Sequence, residues 1–150
     1  MAHRERLTAR GSVDDWRAQL LDLGYVVVSS VLDERDVEAL RTAFPCETPG
    51  STLHLEIDDE TPHIDRWRGL VDHPRVAALL SETLVEYEVR IHGRDPGSGA
   101  GEQGLHADRP PGRENDIDAL TLIWMLDELT PENGVTRVVP RSHRGAAAVP

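Results

Sequence analysis

Lysine is absent from the sequence, because all 16 of its Lys and Arg residues are arginine. Without a lysine amine, covalent catalysis through a lysine Schiff base is excluded. Cysteine is nearly absent as well, since Cys46 is the single one. One cysteine permits neither an intramolecular disulfide nor a zinc site built from several thiolates.

Long hydrophobic runs are also missing, and none approaches the roughly 18 residues of a membrane-spanning helix. Residues 1–10 are basic, but no apolar stretch of the signal-peptide kind follows them. We therefore predict a cytoplasmic protein with no membrane association. Acidic residues outnumber basic ones by 27 to 16, which gives a formal charge of −11. Such a surface repels nucleic-acid backbones, so we expect no nucleic-acid partner.

The length of 150 residues is enough for a single globular domain with a core of its own. Hydrophobic residues make up 39% of the sequence, and 12 glycines bring it near the usual apolar content of globular domains. We therefore treat residues 1–150 as one domain.

The first helix is marked by capping residues at both ends. Ser12 and Asp15 have the spacing of a capping box, which predicts a helix over Val13–Leu23. Gly24 supplies the left-handed residue on which helices commonly end. The expected inward face consists of Trp16, Leu20 and Leu23.

Two further helices have comparable start signals. Asp33 and Asp36 open the second, which Pro45 ends. Residues 72–74 (Asp-His-Pro) open the third, with proline in the first turn, where its missing N–H costs nothing. The expected inward faces are Val37, Leu40 and Phe44 in the second helix, and Val76, Leu79, Leu80 and Leu84 in the third.

Beyond residue 84 the apolar period changes from 3.6 to 2, which is typical of a half-buried strand. Predicted strands cover 25–28, 53–57, 85–92, 120–126 and 135–139, with His106 and Asp108 in a further extended segment. Predicted loops cover 93–104 and 109–118, and residues 131–134 (Pro-Glu-Asn-Gly) form a hairpin turn. The predicted class is α+β, or a jelly-roll-like sandwich with helical decoration.

His106 and Asp108 are the main candidates for chemistry. Residues two apart on a strand project to the same face, so an imidazole and a carboxylate there can share one metal ion. Two histidines and one carboxylate form the facial triad of non-haem Fe(II) oxygenases. A second His-x-Asp pair, His63 and Asp65, lies where the sequence predicts a polar turn with a local hydrogen bond.

Several segments together resemble the phytanoyl-CoA dioxygenase family of Fe(II)/2-oxoglutarate-dependent oxygenases. The resemblance extends from about residue 24 to residue 144. It is carried by residues 24–28 and 32–41, the loop at 96–99, residues 104–108, the segment around Trp124, the Thr-Pro-Glu-Asn-Gly turn at 130–134 and residues 138–143 (Val-Val-Pro-Arg-Ser-His).

The resemblance implies a double-stranded β-helix (a cupin-like jelly roll) behind N-terminal helices, with only its N-terminal part in these 150 residues. It implies that His106 and Asp108 bind Fe(II) and that Trp124 lines the pocket of the cosubstrate 2-oxoglutarate. Trp124 could instead belong to the core, as most tryptophans in apolar strands do. The implied activity is hydroxylation of a small organic substrate by dioxygen. No general acid or base is assigned.

Two departures from the family pattern bear on this expectation. Arg141 stands where the family usually has glycine. The family's second histidine ligand and its arginine for 2-oxoglutarate follow the Pro-Gly-Ser-His segment at a distance, whereas here no histidine follows His143 and no arginine follows Arg144. His143 and His92 are the substitutes within the chain, although a turn histidine capping backbone groups is the other interpretation of His143.

Three alternatives to an active oxygenase follow. The chain could be a truncated, inactive fragment whose C-terminal half is missing, or a jelly-roll binding protein without redox chemistry. It could also be another metal protein, such as a cupin-like isomerase, against which the family segments argue. Substrate and oligomeric state are not predicted.

Overall fold

The computed structural model describes residues 11–44, 52–96, 104–107, 117–130 and 135–144, with the backbone alone at 52–55 and 94–96. The described elements are α1 (Val13–Leu23), α2 (Glu34–Ala43), β1 (Thr52–Ile57), α3 (Ile64–Asp72), α4 (Pro74–Thr83), β2 (Ile91–Pro96) and a 3-10 turn (Ser142–Arg144). Helices with a small antiparallel sheet agree with the predicted α+β class.

The predicted caps of α1 are confirmed. The Ser12 hydroxyl accepts the Asp15 N–H at 3.2 Å, and the Asp15 carboxylate accepts the Ser12 N–H at 2.8 Å. These bonds satisfy amides that a helix N-terminus leaves without intrahelical partners. At the other end, Gly24 is left-handed with φ of +83°.

The second and third predicted helices are confirmed as α2 and α4. The Asp33 side chain accepts the Asp36 N–H at 2.8 Å and caps α2. The His73 imidazole accepts the Arg75 N–H at 3.3 Å and caps α4, which has Pro74 in its first turn. Side-chain caps thus locate both helix starts.

Helix α3 occupies a segment for which the sequence predicted a polar turn. The turn ends at His63, which precedes the helix with φ of +60° and gives it no side-chain cap. Asp65 lies in the first turn of α3. Trp67 and Leu70, three residues apart, are the buried side chains of this helix, and burying that face stabilises a helix that lacks a cap.

The buried apolar residues form two groups. Leu40 of α2 and Trp67 and Leu70 of α3 form one cluster. The residues packed against it are Leu32, Ala43, Phe44, Ile57, Ile64, Ile91, Trp124 and Leu126. The second group lies where α1 contacts α4 and consists of Trp16, Leu20, Val76, Leu79 and Leu80.

The sheet pairs the segment before α3 with the segment after α4. β1 and β2 are antiparallel, with Ile57 opposite Ile91 and Glu56 opposite His92. Both isoleucines pack against the α2–α3 cluster. The predicted strand 85–92 is wrong in its bounds, because β2 begins at Ile91 and continues to Pro96 through part of the predicted loop. The reason is that a strand extends where a partner backbone pairs with it, and β1 lies opposite Ile91–Pro96.

Three other predicted strands are not strands among the described residues. Residues 25–28, 120–126 and 135–139 have no ladder assignment. Apolar alternation selects which side chains are buried, whereas a ladder also requires a second backbone at hydrogen-bonding distance. Ile123 and Met125 are 56% and 48% exposed, which corrects the prediction of a buried strand there.

Several predictions fall on residues that the structure does not describe. The hairpin turn at 131–134, the loop residues 97–103 and 109–116, and Asp108 lie outside the described residues. The residues that flank that turn are hydrogen-bonded to each other, because the Val135 N–H donates to the Thr130 carbonyl at 3.3 Å. The jelly roll therefore stays a prediction.

Candidate metal centre

His106 is exposed, and a backbone carbonyl orients its ring. Nδ1 lies 2.9 Å from the carbonyl oxygen of Gly104. If Nδ1 carries the proton and donates to this carbonyl, the lone pair is on Nε2. Metal-binding histidines commonly hold their second ring nitrogen in this way, which fixes the tautomer and the direction of the ligand. The local geometry of His106 is therefore suited to binding a metal through Nε2.

Asp108, the predicted carboxylate ligand, lies outside the described residues, so its place beside His106 stays a prediction from strand periodicity. Within the described segments, no three His, Cys, Asp or Glu side chains are grouped as a metal site. In donor chemistry, an imidazole with a carboxylate fits Fe(II). A facial triad needs one more ligand.

His92, one of the two substitutes for that ligand, is exposed on β2 opposite Glu56. The neighbouring Arg90 donates from Nε to the Glu88 carboxylate at 3.1 Å, in an exposed ion pair. Exposed pairs of this kind contribute little to stability. The position of His92 opposite Glu56 adds nothing to its candidacy as a metal ligand.

His143, the other substitute, lies against the C-terminal end of α1. Its Nε2 is 3.1 Å from the Leu21 carbonyl oxygen. A ring held on a helix carbonyl in this way confirms the interpretation of His143 as a histidine that caps backbone groups. The structure therefore engages this imidazole at the C-terminal end of α1.

Trp124 is half-buried and packs against the cluster of Leu40, Trp67 and Leu70. This packing agrees with the core role that the sequence allowed. Whether the ring also lines a cosubstrate pocket stays a prediction.

An ion pair fixes the chain just after Trp124. Arg41 of α2 donates to the Asp127 carboxylate. The hydrogen bond from Asp127, together with its negative charge, holds the pKa of Arg41 above its usual value. The pair joins the helices to the predicted cosubstrate segment.

Sequence reasoning missed the residues that meet at the end of α1, namely Asp22, Arg141 and Arg144. One sequence feature could have indicated them. The last turn of α1 contains no basic residue, although helix C-termini favour cations. A segment with two arginines and a histidine was available at 141–144.

Comparison with known proteins identifies the class of this chain. A model of the phytanoyl-CoA dioxygenase (PhyH) family matches residues 51–148, which is more than half of the sequence. The chain belongs to this family. The matched region includes both predicted metal ligands.

A curated relative is Dioxygenase af480 of Aspergillus fumigatus, 26% identical over 155 aligned positions. The alignment covers 89% of this chain and 50% of the relative, so the chain spans about half the relative's length. No solved structure matched the chain. Among the helices of the described segments, none is long and apolar enough to cross a membrane.

Proposed function

We propose that this chain carries the iron-binding strand of a dioxygenase that uses Fe(II) and 2-oxoglutarate to oxidise a small organic substrate. The observation that carries the proposal is the orientation of His106 by the Gly104 carbonyl, at 2.9 Å, inside the region matched by the dioxygenase family. The chain, we propose, is a single domain that contains the helices α1–α4 and the N-terminal part of a jelly roll.

In this proposal His106 and Asp108 hold Fe(II). Bound Fe(II) supplies activation of dioxygen at the expense of 2-oxoglutarate, a reaction that protein side chains cannot perform themselves. With the proton on Nδ1 of His106 and donated to the Gly104 carbonyl, Nε2 would be the ligating nitrogen. Asp108 contributes negative charge, which favours a divalent cation over a neutral ligand.

We further propose that Trp124 forms one wall of the cosubstrate pocket. Its position is fixed by the α2–α3 cluster and, three residues later, by the pair between Asp127 and Arg41. A wall packed against the helices would help to exclude water from the reacting centre.

The test is an anaerobic titration of the purified chain with Fe(II) and 2-oxoglutarate, followed by the weak visible charge-transfer band of chelated cosubstrate. The second His-x-Asp pair provides a matched control within the chain. Asp108→Ala and His106→Ala should abolish the band, whereas Asp65→Ala should retain it, because Asp65 lies in the first turn of α3. Far-UV circular dichroism verifies that each variant is folded.

A band that disappears in Asp108→Ala and persists in Asp65→Ala supports the proposal. Its presence would also show that a third ligand is available, because two protein ligands alone hold Fe(II) loosely. A folded wild-type chain without a band overturns the proposal for this polypeptide and favours the alternatives of an inactive fragment or a non-catalytic binding protein. Equal loss in both aspartate variants would also contradict it.

A further inference from the structure

The C-terminal end of α1 is closed by a distant part of the chain. The last carbonyls of a helix have no intrahelical donors, and the helix dipole places partial negative charge there. Residues 141–144, which we call the strap, lie at this end. The return segment, residues 135–139, leads directly into the strap.

Three donors of the strap meet the free carbonyls. The backbone N–H of Arg141 donates to the Leu23 carbonyl at 2.7 Å. The Arg144 guanidinium donates to the Leu21 carbonyl at 2.9 Å, and His143 Nε2 lies 3.1 Å from the same oxygen. The strap therefore caps α1 through residues more than a hundred positions away, in addition to the local Gly24 N–H, which donates to the Leu20 carbonyl.

The strap is also held by charge. Arg141 approaches Asp22 in a forked arrangement, with Nη2 at 2.9 Å from Oδ2 and Nε at 3.4 Å from Oδ1. Arg144 reaches the same carboxylate at 3.4 Å. Forked guanidinium–carboxylate contacts are stronger and more directional than single ones. Asp22 is thus the common acceptor for both arginines.

Arg141 holds this position in an unfavourable backbone conformation. Its φ is +65°, in the left-handed region that favours glycine. Glycine is also the residue that the related motif usually has here. Arginine adds the strain of a side chain at positive φ, and it adds the contact with Asp22, which glycine could not make.

We propose that Arg141 anchors the strap to α1 by charge, and that the strap makes the end of α1 and the return segment open together as one unit. Strain at residue 141 is offset by the pair with Asp22. Without the pair, the strap keeps its hydrogen bonds to Leu21 and Leu23 and the longer contact of Arg144 with Asp22, so the return segment is held less firmly to the helix.

Hydrogen exchange at two amides tests this proposal. The Gly24 N–H, bonded to the Leu20 carbonyl at 2.8 Å, reports the end of α1, and the Arg141 N–H reports the strap. We compare Arg141→Ala, Arg141→Gly, Asp22→Asn and the double variant Asp22→Asn with Arg141→Ala, each in the otherwise complete chain. Arg35→Ala, which removes an exposed arginine from α2, is the control.

Arg141→Ala keeps the strain and loses the pair, so both amides should exchange about two- to fivefold faster. Arg141→Gly loses the pair but relieves the strain, and we expect a smaller increase. The double variant should exchange less rapidly than the sum of the two single effects predicts, because both changes remove the pair between Arg141 and Asp22, although Asp22→Asn also removes the contact with Arg144. Arg35→Ala should match wild type.

Additive effects of the two substitutions, or acceleration at only one of the two amides, would overturn the proposal. Ionic strength gives a second measurement on the wild-type chain should Arg141→Ala not fold. The Arg141 and Asp22 side chains are 59% and 52% exposed, so about 1 M salt should screen the pair and accelerate both amides. Exchange that is insensitive to salt would contradict a strap anchored by charge.

Discussion

Gly24 and His143 are in such close contact that no side chain fits between them. A Cβ at residue 24 would stand 2.8 Å from Cγ of the imidazole and closer still to Nδ1. The glycine φ of +83° is also one that side chains rarely adopt. Two independent constraints, one of backbone and one of packing, therefore require glycine at this helix end.

Gly24→Ala should destabilise the fold by about 2 kcal/mol or more, because the left-handed conformation and the clash with His143 both oppose a methyl group. Gly69→Ala is the matched control, since a Cβ there meets nothing within 4 Å inside α3. In a helix interior alanine is preferred to glycine, so this change should stabilise by about 0.5–1 kcal/mol. Urea denaturation measures the free energy of unfolding of both variants. A change of the same sign in both would contradict this prediction.

The helices that could be predicted are those with side-chain caps. Ser12, Asp33 and His73 each accept a backbone N–H at a helix start, and these bonds depend on neighbours in sequence. Helix α3 was missed because His63 precedes it with no side-chain cap. Its stabilisation comes from burial of Trp67 and Leu70. These residues lie three apart in the sequence, and one such pair is a short pattern from which to predict a helix.

The predicted strand 53–57 is confirmed as β1, whereas the predicted strand 85–92 was wrong in its bounds for a different physical reason. Alternation of apolar residues was visible in 85–92, yet the ladder starts only at Ile91, where β1 supplies a partner. Pairing is a property of two segments, and a single sequence window contains only one of them. The candidate site is limited in the same way. The hydrogen bond between His106 and Gly104 is local in sequence, whereas the position of a third ligand would depend on tertiary contacts.

The capping box of α1 should give the protein a dependence on acidic pH. Hydrogen bonds from the Ser12 N–H and hydroxyl hold the pKa of the Asp15 carboxyl below its usual value. A carboxylate whose pKa is lowered by folding stabilises the folded state above the pKa of the unfolded chain, about 4. That contribution should be lost as the pH falls through the lower folded value.

Thermal unfolding of wild type and Asp15→Asn between about pH 6 and pH 2 measures this effect, because asparagine cannot ionise. The wild type should melt higher at pH 6, and the two curves should converge as the carboxylate is protonated. A difference in melting temperature that stays constant over this range would show that Asp15 acts without its charge.

The buried Trp67 carries a polar atom that the core does not satisfy. Its side chain is 3% exposed, and its indole nitrogen has no hydrogen-bond partner within the described part of the chain. The ring meets Phe44 edge to face, with centroids 6.1 Å apart. Trp67→Phe removes the unpaired N–H and keeps an aromatic ring, so it should cost only about 1 kcal/mol.

Trp67→Ala, in contrast, should cost about 3–5 kcal/mol, because it leaves a cavity in the α2–α3 cluster. Urea denaturation followed by circular dichroism compares the two variants with wild type. Similar losses for phenylalanine and alanine would mean that the indole N–H has a partner, and the loss of that bond would then account for the cost.

Trp124 can be tested for both of its proposed roles at once. Its packing against the α2–α3 cluster predicts that Trp124→Ala lowers the free energy of unfolding by about 2 kcal/mol, since the ring is only half-buried. Trp124→Phe should retain most of that stability. If the indole also walls the cosubstrate pocket, this milder variant should raise the half-saturating concentration of 2-oxoglutarate about threefold or more in the anaerobic titration.

The free energy of unfolding and the half-saturating concentration of 2-oxoglutarate report different roles of Trp124. Core packing stabilises the chain equally with and without bound 2-oxoglutarate. A change confined to unfolding cannot shift the half-saturation point of a chain that remains folded, so the expected threefold shift requires contact between the ring and the ligand. Trp67→Phe serves as the comparison, since it alters the same cluster from the buried side. An unchanged half-saturation in Trp124→Phe would assign Trp124 to the core alone.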